Sequence, residues 1–537
     1  MTSRTIKWGR ALVAAVIGAT GLLAGLGTLS APAHGESVLR VANMGEPATL
    51  DPQLVSGTWE NRIVGDMFLG LMTEDAAGKA VLGAAQSYKI SNGGLTYTFK
   101  IRPHTWSDGV PVTADDFVFS LRRILNPATA AEYASLLYPI KNAEAVNTGK
   151  MKPDALGVKA IDANTLRIDL SGPTPYFLGL LTHYTAWPVP KHVIEKWGKA
   201  WIKPGHIVSN GPYVLDKWVP NSYVKLKKNP KFYDAANVHI DRVVYYPQED
   251  RAAAQKRFRA GEIDVDTDIS SGQINWLRAN MASDIRIAPY LGTYYYVVNT
   301  TKKPFTDVRV RRALSMAINR KVIVDKVLKT GEIAAYSFVP PGVDNYGTPS
   351  YVTWKDMPYA KRLAEAKTLL KAAGFGPDHP LKLTLSYNTS ENHKRIAVAV
   401  AAMWKGLDVQ TELYNAEAKV HYANLKQGKF QVARAGWIAD YNDAQDFLYL
   451  LDSHTGALNY GRYKDASFDR LMAQAAQTVD LKKRADVMRQ AEAIAMADQP
   501  VMPIYYYISK ELVSPRVKGW IDNTKDIHRT RWLTLTK

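Results

Sequence analysis

The chain has 537 residues, 46% of them apolar and 10% aromatic, which is ample for a globular core and points to two or three domains. Its 68 basic and 50 acidic residues leave a formal charge of +18, but they are interleaved along the chain and the densest basic groups, 225–228 and 309–312, are short, so a solvated basic surface is expected and a nucleic-acid partner is not. The absence of cysteine excludes disulfides, thiolate metal sites and a lipid anchor on a cleavage-site cysteine.

Arg4, Lys7 and Arg10 precede an apolar run over 11–29 and then Ala31-Pro32-Ala33. This is the pattern of a cleavable secretory leader, cut after Ala33, and its loss takes the formal charge from +18 to +15. A retained membrane anchor is the weaker reading, because Gly18, Gly21, Gly25 and Gly27 interrupt the run. No repeat, low-complexity tract or membrane-spanning helix is read after residue 33. Residues 37–43 read as an opening strand and 59–71 as a helix. Residues 88–101 form a hairpin turning at Asn92-Gly93-Gly94. Thr113 with Asp116 makes a capping box for a helix running to 125. A second hairpin covers 160–170, followed by short helices at 175–181 and 191–197 and a Val/Tyr-rich meander over 211–233. Strand 243–246, helix 251–259 and strand 263–265 make one unit, with Gly261 closing the helix. A long β run occupies 285–299. Helices are expected at 308–330, 360–373, 393–407 and 420–426, and strands at 381–387, 408–413 and 431–437. Two more helices fill 468–497, and the chain returns to strand at 501–508. The similar segments TYYYVVN (293–299) and PIYYYI (503–508) bracket an α/β block of domain size, so two crossings between lobes predict a hinge.

Catalytic and metal patterns fail on inspection. Ser222-x-x-Lys225, Lys329-Thr-Gly331 and Tyr422-Ala-Asn424 mimic elements of penicillin-binding enzymes in the wrong order, and Ser222 sits at a turn. Asp264, Asp266 and Asp268 look like half a calcium loop, but Ile269 and Asn275 stand where Gly and Glu are needed, so a strand with outward carboxylates is expected. The eleven histidines have no metal spacing. No catalytic residue, metal site or cofactor is expected.

The informative stretch is 431–447, QVARAGWIADYNDAQDF. An apolar strand carries Arg434 and ends at Trp437-Ile438-Ala439, and Asp440 follows directly. A carboxylate in that setting is poorly solvated and needs a cationic partner, since an unpaired buried charge costs several kcal/mol or forces protonation. Arg434 is on the same face but about 20 Å away along a straight strand, so it is not the direct partner. The alternative is a strand end with Asp440 as a helix N-cap.

ARAGWIADYN resembles the segment of bacterial periplasmic oligopeptide-binding proteins in which an aspartate grips a peptide's α-ammonium. These are the substrate-binding subunits of peptide ABC importers. Further matching pieces run in order along the chain: WSDGVPVTADDFVFS (106–120), GVKAIDANTLRIDLS (157–171), SNGPYVL (209–215), TYYYVVN (293–299), FTDVRVRRAL (305–314), YNTSENHKRIA (387–397) and MPIYYYI (502–508).

The resemblance implies an α/β fold like the class II periplasmic binding proteins: two lobes joined by a two-crossing hinge, with an extra inserted domain. The implied divisions are a discontinuous lobe (34–68, 193–294 and 508–537), an insertion (69–192) and a further lobe (295–507). It implies a monomeric, non-enzymatic, periplasmic protein that encloses short peptides and delivers them to an inner-membrane ABC permease. Asp440 would take the ammonium, Gly436 and Trp437 the peptide backbone, and Tyr133 and Tyr507 further contacts. His393 and Arg434 would take the carboxylate. A further arginine of relatives falls on Leu425, beside Lys426; a pocket tryptophan falls on Ala418, and a cleft glutamate on Ser56, near Thr58. These changes point to altered preference within peptides, murein-derived peptides included. A disulfide of relatives falls on Gly292 and Ile438, which are therefore expected to be neighbours. By strand alternation Tyr505 and Tyr507 share a face. The same fold holding a metal chelate, heme or an oligosaccharide, and a secreted hydrolase, are the alternatives.

Overall fold

The computed structural model describes residues 35–536, so the leader and its cleavage site lie outside the described residues. Among the described residues no helix is long and apolar enough to cross a membrane.

An eleven-stranded mixed sheet organises the chain. On one side, Val38–Ala42 pairs in parallel with Arg242–Tyr246 and Val265–Asp266, and the antiparallel strands Tyr213–Val219 and Tyr223–Lys228 extend it. On the other, Val432–Ile438 pairs with Lys382–Asn388, which pairs in parallel with Gln410–Ala416. Ile285–Val298 and Val501–Val513 lie between and belong to both halves. Their lower ends pair as Ile285 with Leu512, and their upper ends as Val297 with Val501. The register shifts between Pro289 and Thr293. A bulge bends a strand and increases its local twist, so the paired strands bend here. The expected two crossings are these two strands.

The segment between residues 68 and 193 forms its own four-stranded antiparallel sheet from the two expected hairpins. Helix Ala114–Leu125 packs on it, and its capping box is realised: the Thr113 backbone N–H donates to Asp116 Oδ2 at 2.8 Å. Phe117, Leu121 and Ile124, spaced three to four residues apart, form the buried stripe.

Two expectations need correction. The helix expected over 308–330 breaks: Val308–Ala317 ends at Ile318, and a second turn starts at Asn319, whose side chain caps Val322. The polar cap offers the backbone an alternative to continuing. The acidic triplet does not point outward either. Asp264 and Asp266 are buried; Asp264 accepts from Arg516 at 3.0 Å, and burial pushes Asp266 up to about 8. Val265 and Asp266 point to opposite faces and both are buried, so both faces of this internal strand are covered.

Candidate functional site

The site grows from strand Val432–Ile438. Alternation sends Arg434, Gly436 and Ile438 to one face. Its register against Ile285–Val298 places Gly292 directly opposite Ile438, the expected pair of neighbours. A Cβ at Gly436 would sit 2.5 Å from Tyr507 Oη and 3.0 Å from Arg434 Nη2, so a side chain here would have to displace the hydrogen-bonded ends of both. Its bareness leaves main chain at a cavity wall.

Beyond the strand, Ala439 N–H donates to the Leu291 carbonyl at 2.7 Å and Asp440 N–H to Asp446 Oδ2 at 2.9 Å. These bonds hold residue 440 before the next helix, which starts at Gln445, so Asp440 is not an N-cap. Its Oδ1 lies 3.2 Å from His183 Nε2. Thr185 Oγ1 is 2.9 Å from His183 Nδ1, while Nε2, on the Asp440 side, makes no hydrogen bond among the described residues. Asp440 Oδ2 is buried and has no hydrogen-bond partner among the described residues. Tyr133 and Tyr184 border the same space; burial first, and then the charges nearby, push both phenols well up, so they remain O–H donors. Tyr133 stacks on Trp437 with ring centroids 5.8 Å apart, and Trp437 Nε1 donates to Asp446 Oδ2 at 3.1 Å.

Six residues back, Arg434 is held by neutral groups. Nη1 donates to Asn388 Oδ1 at 3.1 Å and Tyr422 Oη at 3.0 Å, Nη2 donates to Tyr507 Oη at 2.6 Å, and the Tyr294 ring lies 4.9 Å from the guanidinium. Tyr505 and Tyr507 share a face, their rings 5.3 Å apart, while Tyr506 turns to the other side and bonds Ser337.

These groups line one cavity of about 240 Å³. Asp440, Trp437, Gly436, Arg434, Tyr133, Tyr507, His393, Thr58 and Ala418 all border it, as does Ser56. The cavity's other cations are consumed: Arg251 Nε bonds Asp268 at 2.7 Å, Lys510 bonds Glu332 at 2.7 Å and Arg62 bonds Asp526 at 3.1 Å. Among the described residues lining it, Arg434 is the one Lys or Arg with no carboxylate in ion-pair contact.

Two expected roles change. Lys426 is not on the cavity; its Nζ is paired with Glu132. His393 borders the cavity but not as a cation: burial, then the charges of Arg434 and Arg251, hold its imidazole well below its ordinary range. Sequence reasoning missed His183, Tyr184, Asn388 and Tyr422. The local signal for the first two was a histidine and two threonines inside the otherwise apolar and aromatic run LLTHYTAW (180–187).

The family described as "Bacterial extracellular solute-binding proteins, family 5 Middle" matches residues 79–459. The chain belongs to the family 5 extracellular solute-binding proteins. It is 41% identical over 498 residues to the periplasmic murein peptide-binding protein MppA of Escherichia coli K12, over 92% of each chain. A solved structure of that protein superposes with TM-score 0.91 at 40% identity, over 94% of this chain and 99% of that one. Haemophilus influenzae OppA in complex with RPPGFSPFR also reaches 0.91, at 35% identity, over 94% of this chain and 100% of that one. Against the unliganded open form of MppA the TM-score falls to 0.67 at the same 40% identity, over 94% of this chain and 98% of that one. Identity being equal, the fall reports lobe arrangement: this chain's two-lobed α/β family fold is described in a form unlike the open one.

Contacts between segments far apart in the chain agree. Besides Asp440–His183 and Trp437–Tyr133, Tyr441 stacks on Tyr176 at 4.9 Å and Ser270 Oγ donates to Glu391 at 2.9 Å.

Proposed function

We propose that this family 5 protein is the periplasmic binding subunit of a peptide ABC importer, closing on short peptides and releasing them to an inner-membrane permease. The observation that carries the reading is the charge arrangement of the cavity. Asp440 Oδ2 is a buried carboxylate oxygen without a partner among the described residues, as are Asp268 Oδ1 and Glu511 Oε2 on the same wall, but Asp440, unlike Asp268, has no Lys or Arg in ion-pair contact, and Arg434 is the lining cation that lacks a carboxylate. A zwitterionic chain supplies both counter-charges. Its ammonium meets Asp440 with Tyr133 and Tyr184 around it; its carboxylate, in ligands of suitable length, meets Arg434. Gly436 leaves main chain available for extended pairing, which gives affinity without reading side chains. Neutral His393 contributes as a hydrogen-bonding wall, and Thr58, Ala418 and Tyr507 bound the side-chain space.

The reading includes the domain division 34–68 with 193–294 and 508–537, 69–192, and 295–507. It also includes leader cleavage after Ala33 and a monomer. Support for closure comes from the stacked Tyr441–Tyr176 pair and the register shift at 289–293. The names of the relatives, a murein peptide-binding protein and an oligopeptide-binding protein, favour peptides over a metal chelate, heme or oligosaccharide.

Calorimetry with alanine tri- and tetrapeptides, free and N-acetylated, tests it. Free peptides are expected to bind at least 100-fold more tightly, because the acetyl group removes the charge that Asp440 awaits. Equal affinity for both would refute the ammonium assignment.

A further inference from the structure

Beside the Asp440 end, a polar recess is formed by Glu511, Asp526, Arg62 and Tyr290, all on the main cavity. Asp526, Arg62 and Tyr290 also line a small adjoining space of about 60 Å³ that Asp440 borders. Glu511 is 1% exposed, and its Oε2 has no hydrogen-bond partner among the described residues. Asp526 is also buried, with Arg62 Nη2 3.1 Å from Oδ2 and His528 Nε2 3.1 Å from Oδ1. One oxygen each of Glu511 and Asp526 and a ring nitrogen of His528 lie within 4.8 Å of one another. With both carboxylates ionised, the recess sets two negative charges against the Arg62 guanidinium, with the His528 ring beside Asp526.

We propose that this recess is a subsite for a ligand side-chain ammonium, of lysine or a diamino acid, lying between Glu511 and Asp526 near the ligand's amino end. The inference rests on the peptide-binding reading above and names a substrate class within it. Charge count decides between candidate cations. One ammonium brings the recess to neutrality, whereas a divalent metal would leave a net positive charge beside Arg62, which already contacts Asp526. Once the proton shared by the two carboxyls is lost, both need donors, and an ammonium supplies up to three. Without a cation the two carboxyls share a proton. Burial, then the neighbouring Asp526, hold Glu511 well up in its protonated form, while hydrogen bonds from Glu511 and His528 and the Arg62 charge keep Asp526 ionised against its own burial. The ammonium takes the place of that proton, which leaves to solvent.

The test is calorimetry on wild type and Glu511→Gln with alanine tripeptides carrying lysine or its uncharged isostere norleucine at position one, two or three. Wild type is expected to prefer lysine over norleucine by at least tenfold at one position, and that ratio is expected to fall to within about threefold in Glu511→Gln. Asp526→Asn is expected to reduce the ratio in the same way; thermal melting shows that each variant is folded. No lysine preference at any position, or a ratio unchanged in folded Glu511→Gln, would overturn the subsite while leaving peptide binding intact. Tight binding of Mn²⁺ or Zn²⁺ alone, abolished by Glu511→Gln, would overturn it in favour of a metal. Failure of every peptide to bind would sink the peptide reading, and the subsite with it.

Discussion

Asp440 and Asp443 stand three residues apart on the same turn, and the structure treats them oppositely. Asp443 is sealed inside with Arg484, whose Nη1 and Nη2 reach its two oxygens at 2.8 and 2.9 Å; the side chains are 7% and 4% exposed. Asp440 faces the cavity with only an imidazole beside it and one oxygen unpartnered among the described residues. The first carboxylate has its counter-charge built in, and bidentate geometry makes that pair strong. The second keeps its place for a counter-charge from outside. Burial alone therefore does not mark a binding carboxylate; a missing counter-charge on a cavity wall does.

The comparison can be broken from either side. Asp443→Ala should have the largest effect, leaving a buried guanidinium without its partner and lowering stability by about 3–5 kcal/mol in chemical denaturation. Asp440→Ala should do the reverse: about 3 kcal/mol of peptide affinity lost by calorimetry, with stability changed by less than about 1 kcal/mol. If Asp440→Ala unfolds the protein as readily as Asp443→Ala, the two carboxylates are both structural and the distinction fails.

The Arg434 end offers a pH test. His421 Nε2–H donates to the Arg434 carbonyl at 2.8 Å, and burial, followed by the Arg434 charge, brings its pKa down to about 4. Its folded value lies below its unfolded value, so the unfolded chain takes up the proton first and stability falls as pH drops from about 6.5 towards 4, by on the order of 2–3 kcal/mol. Glu492, pushed up to about 7 by burial, acts in the opposite sense, its contribution present at low pH and lost as pH rises through 7. The check is therefore a difference: the wild-type loss between pH 6.5 and 4.5 should shrink in His421→Gln. The smallest effect belongs to the pair Lys426–Glu132, with side chains 18% and 34% exposed. Lys426→Met should weaken peptide binding by less than about 1 kcal/mol, and added salt should erase even that. A larger loss would return Lys426 to the ligand's carboxylate end.

Much of the fold was legible because it is local. The Thr113–Asp116 capping box, the two hairpins of the small sheet and the shared face of Tyr505 and Tyr507 follow from spacing within a few residues. Where reading failed, the deciding neighbours were remote. The outward orientation expected for the acidic triplet gave way to burial of Asp264 and Asp266, and the group that meets Asp264, Arg516, lies 252 residues away. Lys426 left the expected site because Glu132, 294 residues away, lies against it.

For the binding site the division is the same. By itself the sequence determined that a carboxylate would follow an apolar strand end at 440, that an arginine would share that strand's face, and that a bare glycine would lie between them. Only the tertiary structure decided which of the charges would be neutralised from within. His183 comes to Asp440 from 257 residues away, Asp526 to Arg62 from 464, and Asp268 to Arg251 from 17, while no carboxylate among the described residues comes to Arg434. Charge pairing is settled by proximity in space, and proximity between distant segments exists only once the chain has closed on itself.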